Sequence, residues 1–181
     1  MIEGRLEHYP EAMAEMRASL MLRSDRPAYE YATFADYTDA AGEPAEGERA
    51  LKAAETLPGG KKEAELVRTR IRLRHGDAGG AMQILNEMAV LYPDDWRVRD
   101  LLGAARITRK DYDGAFAAFE RAVALAPDLP TPHHDAAVAL HHMGRDGEAL
   151  TQSRLALAAA PGYQDARALM MEIQQHGSAN K

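Results

Sequence analysis

Four histidines are the residues whose type best suits metal or proton chemistry: His133, His134, His141 and His142. On one helix, two ligands of a shared ion need to lie about one turn apart, as in a His-x-x-x-His pair. Here the histidines of like face are seven or eight residues apart, which is about 10–12 Å along a helix axis. The spacing therefore predicts no metal site and no cofactor. Since histidine titrates near about pH 6.5, a weak pH response of partner binding is the alternative.

A nucleophile activated by a base is the other chemistry to look for. The chain has no cysteine, which excludes thiol catalysis, thiolate metal sites and disulfides. Its serines stand in no recognisable catalytic motif, and Gly59-Gly60 and Gly79-Gly80 lack the spacing of a phosphate-binding loop. The sequence therefore predicts a protein that is not an enzyme.

Alternating arginines form the strongest local run of charge. Arg68, Arg70, Arg72 and Arg74 fan around one predicted helix, and Arg70 and Arg74 share a face. Such a run could contact phosphate, but the net charge of −6 argues against a nucleic-acid binder, which needs a basic surface to displace counterions. A salt-bridged helix surface is the favoured interpretation.

These residues are positioned by a repeat of 34 residues. Several independent columns keep this step, and a solenoid of repeated helix pairs is the usual source of such a period. One further column, of turn residues, has a single departure from glycine. The columns are Pro93, Pro127, Pro161; Ala81, Ala115, Ala149; Leu51, Leu85, Phe119, Ser153; and Gly42, Gly76, Lys110, Gly144.

Each period predicts two helices. In the clearest one, apolar residues recur at helical spacing over 96–109 and again over 112–125, and Pro127 ends the second helix. The same pattern predicts helices at about 29–41, 46–57, 62–75, 78–91, 131–143, 146–159 and 164–175.

The repeat at 96–129 resembles the tetratricopeptide repeat (TPR) family. The resemblance rests on Leu102-Gly103, on Ala115 and Phe119 four residues apart, and on Pro127. The repeat departs from the family where it prefers aromatics, at Arg99 and Arg106. The resemblance implies an all-α fold, a right-handed superhelical solenoid of antiparallel helix pairs.

The register divides the chain into seven parts. Residues 1–27 form an N-terminal segment with half a repeat, in which residues 1–5 contain a protease recognition sequence and are either a remnant of tag removal or native sequence. Four repeats follow at 28–61, 62–95, 96–129 and 130–163, with Pro58 displaced by one residue in the first. A capping helix at 164–176 and a disordered tail at 177–181 complete the prediction.

The resemblance further implies a concave groove, lined by the first helix of each repeat, that holds a peptide or a partner helix. The lining is acidic at one end and basic or histidine-rich elsewhere, which suits a partner of alternating charge. The columns lack the Lys, Asn and Arg set of family members that clamp a terminal carboxylate, so no such clamp is expected. The predicted groove residues are Tyr29, Asp36, Asp39, Leu66, Arg70, Arg74, Arg97, Asp100, His134 and His141.

The N-terminal segment presents an apolar face at Tyr9, Met13, Met16 and Leu20. No paired helix precedes it in the sequence, so two interpretations stay open. Either the chain was excised from a longer protein, or this face packs on a partner or on a second copy of the chain.

These observations predict an interaction scaffold or adaptor that binds a peptide or another protein. The alternative is a recruiting repeat region of a larger enzyme, such as a glycosyl- or sulfotransferase. No apolar run approaches the length of a membrane span, and no insertion into a membrane is expected. Cytoplasmic residence is the default, with a periplasmic or membrane-tethered parent as the alternative. The Ala-, Arg- and Gly-rich composition favours a bacterial source.

Overall fold

The computed structural model describes residues 14, 16–18, 20 and 26–179, with side chains as far as residue 175. All regular structure in this part of the chain is helical, and residues 14, 16–18 and 20 are helical too. The helices with defined ends are α1 Ala28–Ala40, α2 Pro44–Glu55, α3 Gly60–Arg74, α4 Ala78–Leu91, α5 Trp96–Thr108, α6 Tyr112–Leu125, α7 Pro130–His142, α8 Asp146–Ala159 and α9 Gln164–Ala179.

The helix ends follow the predicted pattern closely, except at the C-terminus. Helix α9 continues to Ala179, three residues beyond the predicted end of the capping helix at residue 176. Residues 180 and 181 lie outside the described part. On α9, Leu169 and Ile173 are buried as predicted for a capping helix, but Ala168 is exposed and Ala166 is buried instead. None of the described helices is both long and apolar enough to cross a bilayer.

The chain divides into two compact units, Met1–His75 and Gly76–Lys181. The division falls between α3 and α4, which the 34-residue register assigns to one repeat. Unit 1 contains α1–α3 and unit 2 contains α4–α9.

In unit 1, α1 and α2 approach closely because small residues line their contact. A Cβ on Gly47 would lie 2.6 Å from the Thr38 hydroxyl and 3.0 Å from the Ala35 carbonyl oxygen, closer than side chains pack. Met16 and Leu20 pack against this core. Both side chains are partly buried there, whereas Tyr9 and Met13 lie outside the described residues.

In unit 2, α5–α9 bury a core of small and large residues in alternation. Ala137 and Ala149 belong to one buried cluster with Leu140. Phe119 fills the space beside Gly103, where a Cβ would lie 2.4 Å from the Phe119 ring. Gly103 and the alanine column are therefore at close contacts of the fold, and Phe119 is core rather than part of a binding site.

The turn inside each helix pair uses the column that begins at Gly42. Gly42, Gly76 and Gly144 have φ of 83°, 81° and 72°, and Lys110 has φ of 61°. All four residues thus adopt the left-handed conformation, which costs glycine little and other residues more.

Candidate partner-binding surface

In unit 1, α1 and α3 bring four of the predicted groove residues into one ion-paired network. The Arg70 guanidinium donates to Asp36 at 2.7 Å. Arg74 donates both to Asp36 and to Asp39, at 2.6 Å each. The predicted acidic and basic regions are therefore not separate in this unit, because the charges neutralise one another. We call Asp36, Asp39, Arg70, Arg74 and His75 the charged cluster.

The centre of the charged cluster is Asp39, whose side chain is 6% exposed. Nε2 of His75 lies 3.1 Å from one of its carboxylate oxygens. Burial by itself would raise the pKa of Asp39, but the hydrogen bonds from His75 and Arg74 outweigh it and hold the pKa below the usual range. Asp39 thus stays ionised and holds the ends of α1 and α3 together.

The ion pairs in the charged cluster follow from the repeat. Asp36 and Arg70 are one period apart, so adjacent first helices place them side by side. An aspartate and an arginine 34 residues apart in the sequence therefore predict an ion pair of this kind. His75 was missed by the sequence analysis, although its place directly after Arg74 carries it to the same end of α3.

A cleft of about 410 Å³ borders the charged cluster, between α1, α2 and α3. Asp39 belongs to both. Ile71 is partly exposed in the cleft, and the buried Ala35 and Leu51 form its floor. On its other side Arg68 binds Glu48 at 3.0 Å and also pairs with Glu55. The arginine fan of α3 thus forms salt bridges to α1 on one side and to α2 on the other.

In unit 2, the first helices gather carboxyl groups rather than ion pairs. Asp100 on α5 lies close enough to Asp135 on α7 to influence its pKa. Burial raises the pKa of Asp135, and the charge of Asp165 raises it further. The charge of His134 and the interaction with Asp100 act in the opposite direction and lower it. Asp135, which is adjacent to His134, was not among the predicted groove residues.

Tyr163 completes this part of unit 2. Its ring meets that of His134 edge-on, with centroids 5.5 Å apart. Burial raises the pKa of the Tyr163 hydroxyl, a hydrogen bond with Thr131 lowers it, and the charge of Asp135 raises it again. Of the predicted groove residues, the structure therefore brings Asp100 and His134 to one place.

The remaining predicted groove residues have separate surroundings. Arg97 binds Asp95, the N-cap of its own helix, at 2.8 Å. His141 lies 2.7 Å from Asp146. Tyr29 is 56% exposed on α1. Leu66 is 2% exposed and lies in the core, so its assignment to the groove is wrong: an apolar side chain here gains more from burial than from contact with solvent.

The other histidines serve the fold. His133 is buried, with Nε2 2.8 Å from the Pro127 carbonyl and Nδ1 2.8 Å from the Gln152 side chain. His142 stacks on Tyr112 with ring centroids 4.8 Å apart. Within the described residues, no group of three or more His, Cys, Asp or Glu side chains has the geometry to hold a metal ion.

Comparison with known families gives the surface its context. The model of a family described as protein kinase G tetratricopeptide repeat matches residues 14–155, which is most of the chain. The chain belongs to the protein kinase G tetratricopeptide repeat family. The match extends across both units and begins within the N-terminal segment. A comparison with curated proteins finds no match.

Solved structures share the fold of this TPR protein. A thermophilic TPR protein from Thermus thermophilus is 23% identical with a TM-score of 0.70, covering 94% of this chain and 93% of the other. The type III secretion translocator chaperone SycD of Yersinia enterocolitica is 20% identical with a TM-score of 0.59, covering 64% and 92%. YrrB, a TPR protein with an unusual peptide-binding site, is 15% identical with a TM-score of 0.57, covering 91% and 84%. At these identities the likeness shows the fold alone.

Proposed function

We propose that this TPR protein is an interaction scaffold that binds a peptide segment of a partner protein at the charged cluster of unit 1. The observation that carries the proposal is the cleft bordered by that cluster. The partly exposed side chain of Ile71 lies there beside arginine and aspartate side chains, over a floor formed by the buried Leu51. Binding sites combine apolar lining with a few placed polar groups in this way.

The chemistry of the cluster indicates the kind of peptide. Arg70 is 47% exposed and Arg74 is 36% exposed, whereas Asp36 and Asp39 lie deeper. A peptide therefore meets the guanidinium groups first and the carboxylates behind them. An apolar side chain flanked by charges of both signs fits this surface, because it can enter the cleft while its neighbours exchange partners with the ion pairs.

Two of the structural neighbours support this class of function. YrrB is described as having an unusual peptide-binding site, and SycD is named as a chaperone of secretion translocators. Both are similar to this chain in fold, so a scaffold that holds a protein segment is the function that the family context favours.

The test uses peptides selected from a random displayed library on the wild-type protein. We expect enriched peptides whose Kd rises about fivefold in Arg70→Gln, the effect of about 1 kcal/mol from an exposed charge. Arg74 still binds Asp36 in this variant, so the fold is retained. Kd is measured by fluorescence anisotropy.

Arg145→Gln is the matched control. Arg145 is 39% exposed and ion-paired with Glu148 at 2.6 Å, but it lies in unit 2 at the start of α8. Selected peptides should bind this variant as they bind the wild type. Equal losses in the two variants, or a selection that enriches no peptide, would contradict the proposed site.

The family name favours a second candidate function, the repeat region of a protein kinase. This replaces the glycosyl- and sulfotransferases of the sequence analysis as the enzyme class of that alternative. The complete reading frame of the gene decides it. A kinase domain encoded in the same frame supports the candidate, and a frame without one removes it.

A further inference from the structure

The turns that join successive repeats in unit 2 share one geometry. Each is a four-residue turn with proline in second place, where its fixed φ is favourable. In each, the amide of the fourth residue donates to the carbonyl of the first, over 3.2 Å, 3.2 Å and 3.0 Å. The turns are 92–95, 126–129 and 160–163.

In every one of these turns, the side chain six residues after the proline binds the prolyl carbonyl. Arg99 donates to the carbonyl of Pro93 at 3.3 Å, and Arg167 donates to that of Pro161 at 2.8 Å. In the middle turn Nε2 of His133 lies 2.8 Å from the carbonyl of Pro127. A carbonyl only accepts, so this nitrogen carries the proton. We call Arg99, His133 and Arg167 the turn latch.

The turn latch follows the 34-residue register. Its members stand in the column where the TPR pattern prefers an aromatic residue, as at Arg99. In unit 1 the same column holds Tyr31 and Glu65, and Glu65, an acceptor, pairs with Arg68. The three hydrogen bonds to prolyl carbonyls described above lie in unit 2.

The carbonyl that the turn latch binds is the group that distinguishes the two common turn types. Types I and II differ by reversal of the peptide between the second and third residues, which turns the carbonyl of the second residue to the opposite side. A donor attached to this carbonyl favours one type over the other. We propose that Arg167 selects the turn type at the junction 160–163, where the backbone allows both types, whereas Arg99 and His133 bind turns whose type is already determined by the aspartate in third place.

The junction at Pro161 is where a choice exists. A type II turn needs a φ of about +80° at its third residue, which glycine adopts freely. The third residue here is Gly162, yet its φ is not positive, which excludes type II. The corresponding Asp94 and Asp128 also lack positive φ, but for them type II is costly in any case.

Arg167→Met tests the selection by removing the donor while keeping much of the side-chain length. We expect the type II population at residues 160–163 to rise about two- to tenfold, the range that one net hydrogen bond supplies. It is measured by NMR, as a stronger Pro161 Hα to Gly162 amide contact and as exchange broadening of the Gly162 amide. Far-UV circular dichroism checks that the helices remain.

Two further variants separate turn selection from a general loss of order. In Arg167→Met with Gly162→Ala, the type II signals should return to the wild-type level, because alanine disfavours the positive φ. The added Cβ meets nothing within 4 Å, so it introduces no clash. Arg99→Met should leave its turn in the original type, since Asp94 offers no low-cost alternative.

Unchanged Gly162 signals in Arg167→Met would overturn the proposal. So would an equal rise in exchange in the presence of Gly162→Ala, since this would show loosening of the helix ends rather than a change of turn type.

Discussion

Lys110 has a left-handed backbone conformation, which is unfavourable for lysine. Its φ of 61° matches the values at Gly42, Gly76 and Gly144 in the same column. The turn therefore imposes one backbone conformation on all four positions, whatever the side chain. A lysine in the left-handed region carries a steric cost of about 1–2 kcal/mol that glycine avoids.

Lys110→Gly is expected to stabilise the protein. Relief of the left-handed cost exceeds the extra chain entropy of glycine in the unfolded state, so the free energy of unfolding should rise by about 0.5–1 kcal/mol. Urea denaturation measures it. Lys110→Ala is the control, because it removes the side chain and keeps the unfavourable φ. A gain in the alanine variant as large as in the glycine variant would assign the effect to the lysine charge instead.

The contact of α5 with α6 shows how one position sets the approach of two helices. Gly103 has no Cβ, and the Phe119 ring occupies the space that a Cβ would need. Gly147, near the start of α8, has nothing within 4 Å of its would-be Cβ. The same residue type thus serves packing at one site and has no packing role at the other.

The two glycines should respond oppositely to alanine. Gly103→Ala overpacks a buried contact and should lower the free energy of unfolding by about 1–3 kcal/mol. Gly147→Ala should be neutral or stabilise by up to about 1 kcal/mol, since alanine has the higher helix propensity. Thermal and urea unfolding of both variants measure the difference. A neutral Gly103→Ala would mean that Phe119 moves aside at little cost.

At the scale of the whole molecule, Asp39 and Glu46 in unit 1 and Asp135 in unit 2 have pKa values displaced in opposite directions. The exposed Glu148 of unit 2 also has a lowered pKa, because Arg145 donates hydrogen bonds to it. In unit 1, hydrogen bonds from Arg17 lower the pKa of Glu46, and those from His75 and Arg74 lower that of Asp39 despite its burial. In unit 2, burial raises the pKa of Asp135. A carboxyl group whose pKa is lowered in the folded state stabilises the fold above about pH 4. This stabilisation is lost as the pH falls through the folded-state pKa. A carboxyl group whose pKa is raised in the folded state favours the fold most below about pH 4. This contribution is lost as the pH rises through the folded-state pKa.

Acid should therefore weaken unit 1 relative to unit 2. Hydrogen exchange between about pH 3 and pH 7, corrected for intrinsic rates, should show protection of α1 and α3 falling on acidification, while α5 and α7 keep or gain protection. Asp39→Asn should flatten the response of unit 1, and Asp135→Asn that of unit 2. Parallel loss of protection in both units would contradict the opposed displacements.

The sequence alone determined the helices, because a 34-residue period in several columns constrains the apolar face of every helix at once. It also predicted the turn column, including its exception at Lys110. Ala137 and Ala149 could be paired from the register, since small residues mark close contacts. The end of α9 could not be read, because a polar tail carries no periodic signal.

The tertiary structure decided what the charged and polar residues do. The spacing of Asp36 and Arg70 indicated a pair, but only the structure shows that Arg74 joins Asp36 and Asp39 into the same network. Leu66 was expected at the surface and is core, and the raised pKa of Asp135 depends on burial that no local pattern reveals. Arg99, which the sequence showed only as a departure from the repeat, binds a prolyl carbonyl. The physical reason is that helical periodicity is local, whereas ion pairs, burial and hydrogen bonds to turns depend on which neighbour lies opposite.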